Sequence, residues 1–319
     1  MTAKDLVDRV LDRTVVLGYS RIGLAIRERL WADPELVPGS LAGTTMLVTG
    51  SNSGIGKAIA AQLAGLGASV VMVVRDPARG EAARLEILSE TPGADVTLER
   101  CDVSDLSAVR AFAADILTRY NRIDAIIHNA GVMPEQRSES VDGHELSLAT
   151  HVLGPLLMTE LLLPALAQSP DPRVVLMSSG GMYTQRLPVE DIEYRVGPYR
   201  GAVAYARSKR IQVALTPLMA ERWRPEGVMV ATMHPGWAET PGIADSLPGF
   251  LRLTKPILRT ADQAADTAVW LVSTTPTPPS GDFWQDRHIR ATHYLSSTHD
   301  TAAEREHVWR YCTEAVGIS

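Results

Sequence analysis

Apolar positions along this chain form short unbroken runs, separated by longer stretches with helical spacing. The runs at 45–48 (TMLV), 69–74 (SVVMVV), 96–98 (VTL), 125–128 (AIIH), 174–177 (VVLM) and 228–233 (VMVATM) predict buried strands. Between them, 57–66, 77–90, 104–120, 145–167 and 202–224 carry apolar residues at helical spacing and predict helices. Pro77 suits a first helical turn, Ser104 suits a cap, and Pro155 and Pro164 interrupt the longest helix. Strands that alternate with helices predict an α/β fold with a doubly wound parallel sheet covered on both faces. That domain is expected over 43–319, with a loop at 237–258, a helix at 261–272, a last strand at 280–284 and a terminal helix at 301–316. The loop is rich in Pro, Gly and isolated apolar residues, and 280–319 forms a C-terminal extension.

Residues 1–42 precede the alternation. Leu6, Val7, Val10 and Leu11 make a helical stripe, and 15–31 carries Leu17, Ile22, Leu24, Ile26 and Leu30 beside Arg21, Arg27 and Arg29. Pro34, Pro38 and Gly39 mark a linker. This predicts a helical arm that packs on the domain or on a second subunit. The alternative is a basic amphipathic segment, 1–31, at a membrane surface.

The strand at 45–48 runs into 49–56 (TGSNSGIG) and then into a helix. A strand, a glycine-rich turn and a helix start in register are the context of a dinucleotide site, and they make the sheet Rossmann-type. Gly50 allows the tight turn, Gly54 lets backbone approach a phosphate, and Gly56 lets the helix pack closely. The helix N-terminus then offers N–H groups to a pyrophosphate. The second strand ends in Arg75 rather than an acid. An acid would favour NAD, whereas Arg75, helped by Asn52, Lys57 and Arg79, suits a 2′-phosphate and predicts NADP(H).

Tyr205 and Lys209 stand four apart on a predicted helix and share one face. A nearby ammonium is expected to lower the pKa of the phenol and fit it for proton transfer to or from a substrate oxygen. Ser179, at the end of the fifth strand, reaches the same oxygen.

Net charge is −6, which argues against nucleic acid as a partner. Two cysteines, Cys101 and Cys312, fit a reducing compartment, and no histidine pairs with cysteine at metal spacing. Lys4, Asp5, Asp8, Arg9, Asp12 and Arg13 break up the start, so no signal peptide is expected. No run of about 20 apolar residues predicts a spanning helix.

The set formed by 49–56, Asp102-Val103, Asn129-Ala130-Gly131, Ser179, Tyr205 with Lys209, and Pro235-Gly236 resembles the short-chain dehydrogenases/reductases over about 43–275. The resemblance implies that Gly50, Ser51, Asn52, Ser53, Gly54, Ile55 and Gly56 cradle the pyrophosphate. It implies that Asp102 and Val103 border the adenine, that Asn129 and Ala130 flank its ribose, and that Gly131 lies in the neighbouring turn. Tyr205 and Lys209 would also hold the nicotinamide ribose, Pro235, Trp237 and Thr240 would lie along the nicotinamide, and Asp124 would be structural. His151 stands where the family usually has an asparagine that helps hold a water linking the lysine to solvent, so His151 joins the candidate catalytic residues. Met133, Pro134, Gly180, Met182, Tyr183 and Trp237 are expected to line the reacting end. Ile243, Leu247, Phe250 and Leu251 lie in a loop that could close over it. An apolar lining predicts a small to medium lipophilic carbonyl or alcohol as substrate. The alternative is a catalytically impaired nucleotide-binding or scaffold protein of the same fold. The long helices at 145–167 and 202–224 resemble those through which family members form dimers and tetramers, so a cytoplasmic homodimer or homotetramer is expected.

Overall fold

The computed structural model describes residues 7–8, 10–12, 14, 18–30, 37–238 and 255–318. Eight strands form one sheet: β1 (Thr45–Thr49), β2 (Ser69–Val74), β3 (Val96–Arg100), β4 (Ala125–His128), β5 (Arg173–Met177), β6 (Met229–Met233), β7 (Asp282–Gln285) and β8 (His288–Ile289). Their order across the sheet is β3-β2-β1-β4-β5-β6-β7-β8. All pairings are parallel except β7 with β8, whose register pairs Trp284 with Ile289. The edge strand β8 follows β7 through Asp286 and Arg287, both at positive φ, and was not foreseen from the sequence.

Side chains of each central strand divide between two cores. Leu47 joins the core with helices α4 (Leu106–Arg119), α5 (Leu146–Leu166), α6 (Gly201–Arg222) and α8 (Ala302–Val316). Met46 and Val48 face the other core, with α2 (Gly54–Gly65), α3 (Pro77–Glu90) and α7 (Ala261–Ser273). Both faces are covered, which is why the strands read as continuous apolar runs. Helix α5 is long and apolar enough to span a bilayer by length and composition alone, but most of it is buried in the core.

The helix starts follow local chemistry. Asp76 caps α3, with Pro77 in its first turn, and capping boxes open α7 (Thr260 with Gln263) and α8 (Thr301 with Glu304). Asp105, not Ser104, caps α4: its side chain accepts from Ala108 N–H, while the Ser104 hydroxyl donates to Asp102. Pro155 removes little from α5, because it follows a π-helical turn, Ala149–Leu153, at the start of a fresh α segment.

The described part of the N-terminal segment packs on its own domain. Helix α1 (Arg21–Glu28) is capped by Ser20, and Tyr19, Leu24 and Arg27 are buried.

Candidate active site

Strand order reverses between β1 and β4, and a ligand cleft is expected there at the carboxyl ends of the strands. The structure has a cleft of about 470 Å³ at that place. One end is built by the β1–α2 turn. Gly50 has φ +66°, and a Cβ on it would lie 2.7 Å from Ala130 Cα. A Cβ on Gly56 would lie 2.4 Å from the Gly50 carbonyl oxygen and 2.3 Å from Asn129 Nδ2. The turn therefore closes only with glycine at both places. Asn129 locks it: its Nδ2 donates to the carbonyls of Thr49 (3.0 Å) and Gly50 (3.2 Å). The Thr49 hydroxyl accepts the N–H groups of Asn129 and Ala130, both at 3.0 Å. Ser53 is the N-cap of α2, yet its side chain bonds no backbone N–H. The first turn of α2 thus presents its donors to the cleft, a cradle suited to a diphosphate.

The other end is built by the ends of β5 and β6 and by α6. Ser179 follows β5 and opens a 3₁₀ turn, Gly180–Thr184. Tyr205 and Lys209 project from α6, and the Lys209 Nζ lies 5.5 Å from the Tyr205 ring centroid. That ammonium donates to the Met177 carbonyl at 2.7 Å, and the Ser178 hydroxyl donates to the Lys209 carbonyl at 3.1 Å. These two bonds fix α6 to the end of β5. Burial pushes the lysine down to about 7. Burial also pushes the Tyr205 phenol up, against a hydrogen bond with Ser179 that lowers it. The phenol is thus raised where the lysine beside it was expected to lower it, because desolvation opposes the charged form.

Gly50, Asn52, Ser53, Gly54, Ile55, Gly56, Arg75, Asp102, Val103, Asn129, Ala130, Gly131, Ser179, Tyr205, Lys209, Pro235 and Trp237 all line this cleft. Arg79 joins Arg75 at its mouth, whereas Lys57 pairs with Glu86 outside it. Ser51 is buried away from the wall. Thr240, Ile243, Leu247, Phe250 and Leu251 lie outside the described residues. Asp124 is remote from the cleft and ties β1 to the end of α5, accepting the Thr45 N–H and the Ser169 hydroxyl.

His151 lies behind the wall, fully buried, in the π-helical turn. Its Nε2 accepts the Val132 N–H at 3.0 Å, its Nδ1 lies 2.7 Å from the Ser208 hydroxyl, and its carbonyl accepts Gln212 Nε2 at 2.7 Å. Both ring nitrogens are engaged by protein, which leaves the imidazole no nitrogen for a water relay. Met133 and Trp237 line the cleft as expected, but Met182 and Tyr183 do not. They are buried in a small separate core with Tyr19, Val213 and Phe283, and the Tyr183 hydroxyl donates to the Ala291 carbonyl. The sequence reading missed Tyr19 and His234. His234 Nδ1 accepts the Gly180 N–H at 3.0 Å, and the Tyr19 carbonyl accepts the Trp237 N–H at 2.8 Å. Its sole signal was the position of His234 at the end of a strand.

The short chain dehydrogenase family profile matches residues 44–248. Human "Dehydrogenase/reductase SDR family member 12" is 39% identical over 278 residues, 86% of this chain and 86% of that protein. Human "Retinol dehydrogenase 12" is 34% identical over 281 residues, 87% of this chain and 88% of that protein. The crystal structure of an uncharacterised protein from Mycobacterium paratuberculosis superposes with a TM-score of 0.71 at 28% identity, covering 91% of this chain and 98% of that one.

Proposed function

The chain belongs to the short chain dehydrogenase family of NAD(P)-dependent oxidoreductases, and from that premise we propose that it interconverts a lipophilic carbonyl and its alcohol with NADP(H). The observation that carries the reading is the convergence of Ser179, Tyr205 and Lys209 on one cleft with the glycine turn and Arg75. The turn residues would hold the diphosphate, and Arg75, Arg79 and Asn52 the 2′-phosphate. Asp102 and Val103 would border the adenine, with Asn129 and Ala130 at its ribose. NADPH, when bound there, would supply the hydride. The Tyr205 hydroxyl gives its proton to the carbonyl oxygen, and Ser179 donates a hydrogen bond to that oxygen and orients it. Lys209, near 7, stabilises the phenolate left behind and binds the nicotinamide ribose. Met133 and Trp237 give the reacting end an apolar lining, and a relative named for retinol fits the same substrate class. His151 acts through Val132 and Ser208, as a positioning residue. We place the protein in the cytoplasm as a homo-oligomer. Peripheral membrane contact through 1–31 would be seen as liposome binding that a chain starting near Ser40 lacks.

The test is a panel of carbonyls of rising chain length with NADPH. Turnover should rise with hydrophobicity, vanish in Tyr205→Phe and survive in His151→Asn. NADPH binding without turnover across the panel would instead establish a nucleotide-binding protein.

A further inference from the structure

We propose that Tyr19, from the segment before the first strand, is a positioning residue for the reacting end of the cleft. Its kinetic consequence rests on the oxidoreductase reading above; its structural consequence does not.

Tyr19 is 2% exposed and touches both strand ends that build the reacting end. Its carbonyl accepts the Trp237 N–H at 2.8 Å. Its ring meets His234 edge-on, with centroids 4.5 Å apart, and Trp237 edge-on at 5.9 Å. His234 in turn accepts the Gly180 N–H, directly after Ser179. The packing leaves no slack: a Cβ on Gly180 would lie 2.7 Å from Tyr19 Cε2 and 3.0 Å from His234 Nε2. Tyr19 thus holds the backbone carrying Ser179 and the backbone carrying Trp237 at one separation. A substrate that packs on Trp237 must bring its oxygen to Ser179, so that separation sets how the oxygen meets its hydrogen-bond donor.

The segment is held where it is by charge. The Gly18 carbonyl, next to Tyr19, accepts three buried donors: Arg27 Nη1 at 2.8 Å, Gln285 Nε2 at 3.0 Å and Arg259 Nη2 at 3.3 Å. Both arginines bind the fully buried Asp286, and Arg259 also donates to the Pro235 carbonyl. One carboxylate therefore joins α1, the loop after β6 and the β7–β8 turn. None of these contacts touches the glycine turn or Arg75, so the substrate half and the nucleotide half of the cleft should respond separately.

The experiment compares the full chain with Tyr19→Ala, Tyr19→Leu and Tyr19→Phe by hydrogen exchange, NADPH binding and kinetics on the best wild-type carbonyl. In Tyr19→Ala, exchange over 177–184 and 232–238 should rise about tenfold, with 45–56 and 125–131 unchanged. NADPH affinity should stay within about twofold while kcat for the carbonyl falls at least about tenfold. Tyr19→Phe, which keeps the ring, should restore both. Tyr19→Leu, which fills the space without the aromatic edge, should be intermediate, and it serves as the readout if the alanine variant fails to fold. Unchanged exchange at the two strand ends, or equal loosening at the glycine turn with parallel loss of NADPH binding, would overturn the proposal. A wild type that binds NADPH and reduces nothing would overturn the oxidoreductase reading instead, and the exchange pattern would still decide the role of Tyr19.

Discussion

The backbone N–H of Val132 donates to Nε2 of His151 at 3.0 Å, and this bond assigns the ring's proton to Nδ1. The Nδ1–H then donates to the Ser208 hydroxyl, which donates onward to the Tyr205 carbonyl at 2.8 Å. The chain of bonds is complete only with a neutral imidazole. Burial, with the Lys209 charge nearby, holds the His151 pKa well below its ordinary value. The ring should therefore stay in the Nδ1–H form through the ordinary titration range of histidine. Long-range ¹H–¹⁵N spectra of the ring read this directly, and a midpoint near 6.5 would refute it. His151→Asn, too short to reach both partners, should lower stability by about 1–3 kcal/mol through the unsatisfied groups it leaves.

Cofactor choice turns on Arg75. It lies exposed at the cleft mouth, so its loss leaves no buried partner behind. Arg75→Ala should weaken NADPH binding by about 10- to 100-fold, the worth of charge-assisted hydrogen bonds to a phosphate. NADH binding should hardly change. Calorimetric titration of both cofactors decides the matter: equal affinities for wild type would remove the proposed preference.

The sheet was legible because both faces of its central strands are buried, so each read as an unbroken apolar run. The cleft was legible because its glycine turn, Ser179 and Pro235 follow strand ends and because Tyr205 and Lys209 share one helix face. What stayed hidden depends on partners far away in sequence. Arg27 and Asp286 are 259 residues apart, and Arg27 looks like one more charge on an amphipathic arm until both are placed in the core. The π-helical turn around His151 leaves no mark in a periodicity that assumes 3.6 residues per turn. Met182 and Tyr183 were misplaced for a related reason. Being apolar and next to Ser179 does not say which side of the turn they face.

Gly56 should be intolerant of a methyl group. The added Cβ would meet the Gly50 carbonyl, which is backbone and cannot swing aside. Gly56→Ala should cost about 1–3 kcal/mol, as overpacking does, and should move the first turn of α2 away from the diphosphate position. NADPH affinity should fall with stability, whereas Gly65→Ala on the same helix, where a Cβ meets nothing within 4 Å, should spare both. Denaturant melts and cofactor titrations of the two variants test it, and full cofactor affinity in Gly56→Ala would contradict the packing argument.

Acid stability should report the buried carboxylate of Asp286. Burial alone would push this carboxyl up, but the charges and hydrogen bonds of Arg259 and Arg27 outweigh it and bring it down to about 2. A folded-state value below the unfolded one, about 3.9, stabilises the fold fully above the unfolded value. The contribution fades as pH falls through about 2, and the shift corresponds to roughly 2–3 kcal/mol. Asp286→Asn removes the carboxylate that Arg259 pairs with and leaves Arg27 only Asp8, at a cost of about 3–5 kcal/mol near neutral pH. The stability gap between wild type and Asp286→Asn should therefore be constant from about pH 7 to 4 and narrow between about 4 and 2. Carboxylates remote from the two arginines titrate in both proteins and cancel in the difference; Asp8, which pairs with Arg27 at 2.7 Å, is therefore replaced by asparagine in both. Urea melts at pH 7, 4 and 2.5 measure that gap, and one that fails to narrow at the lowest pH would show that Asp286 is not the anion holding Arg27 and Arg259 together.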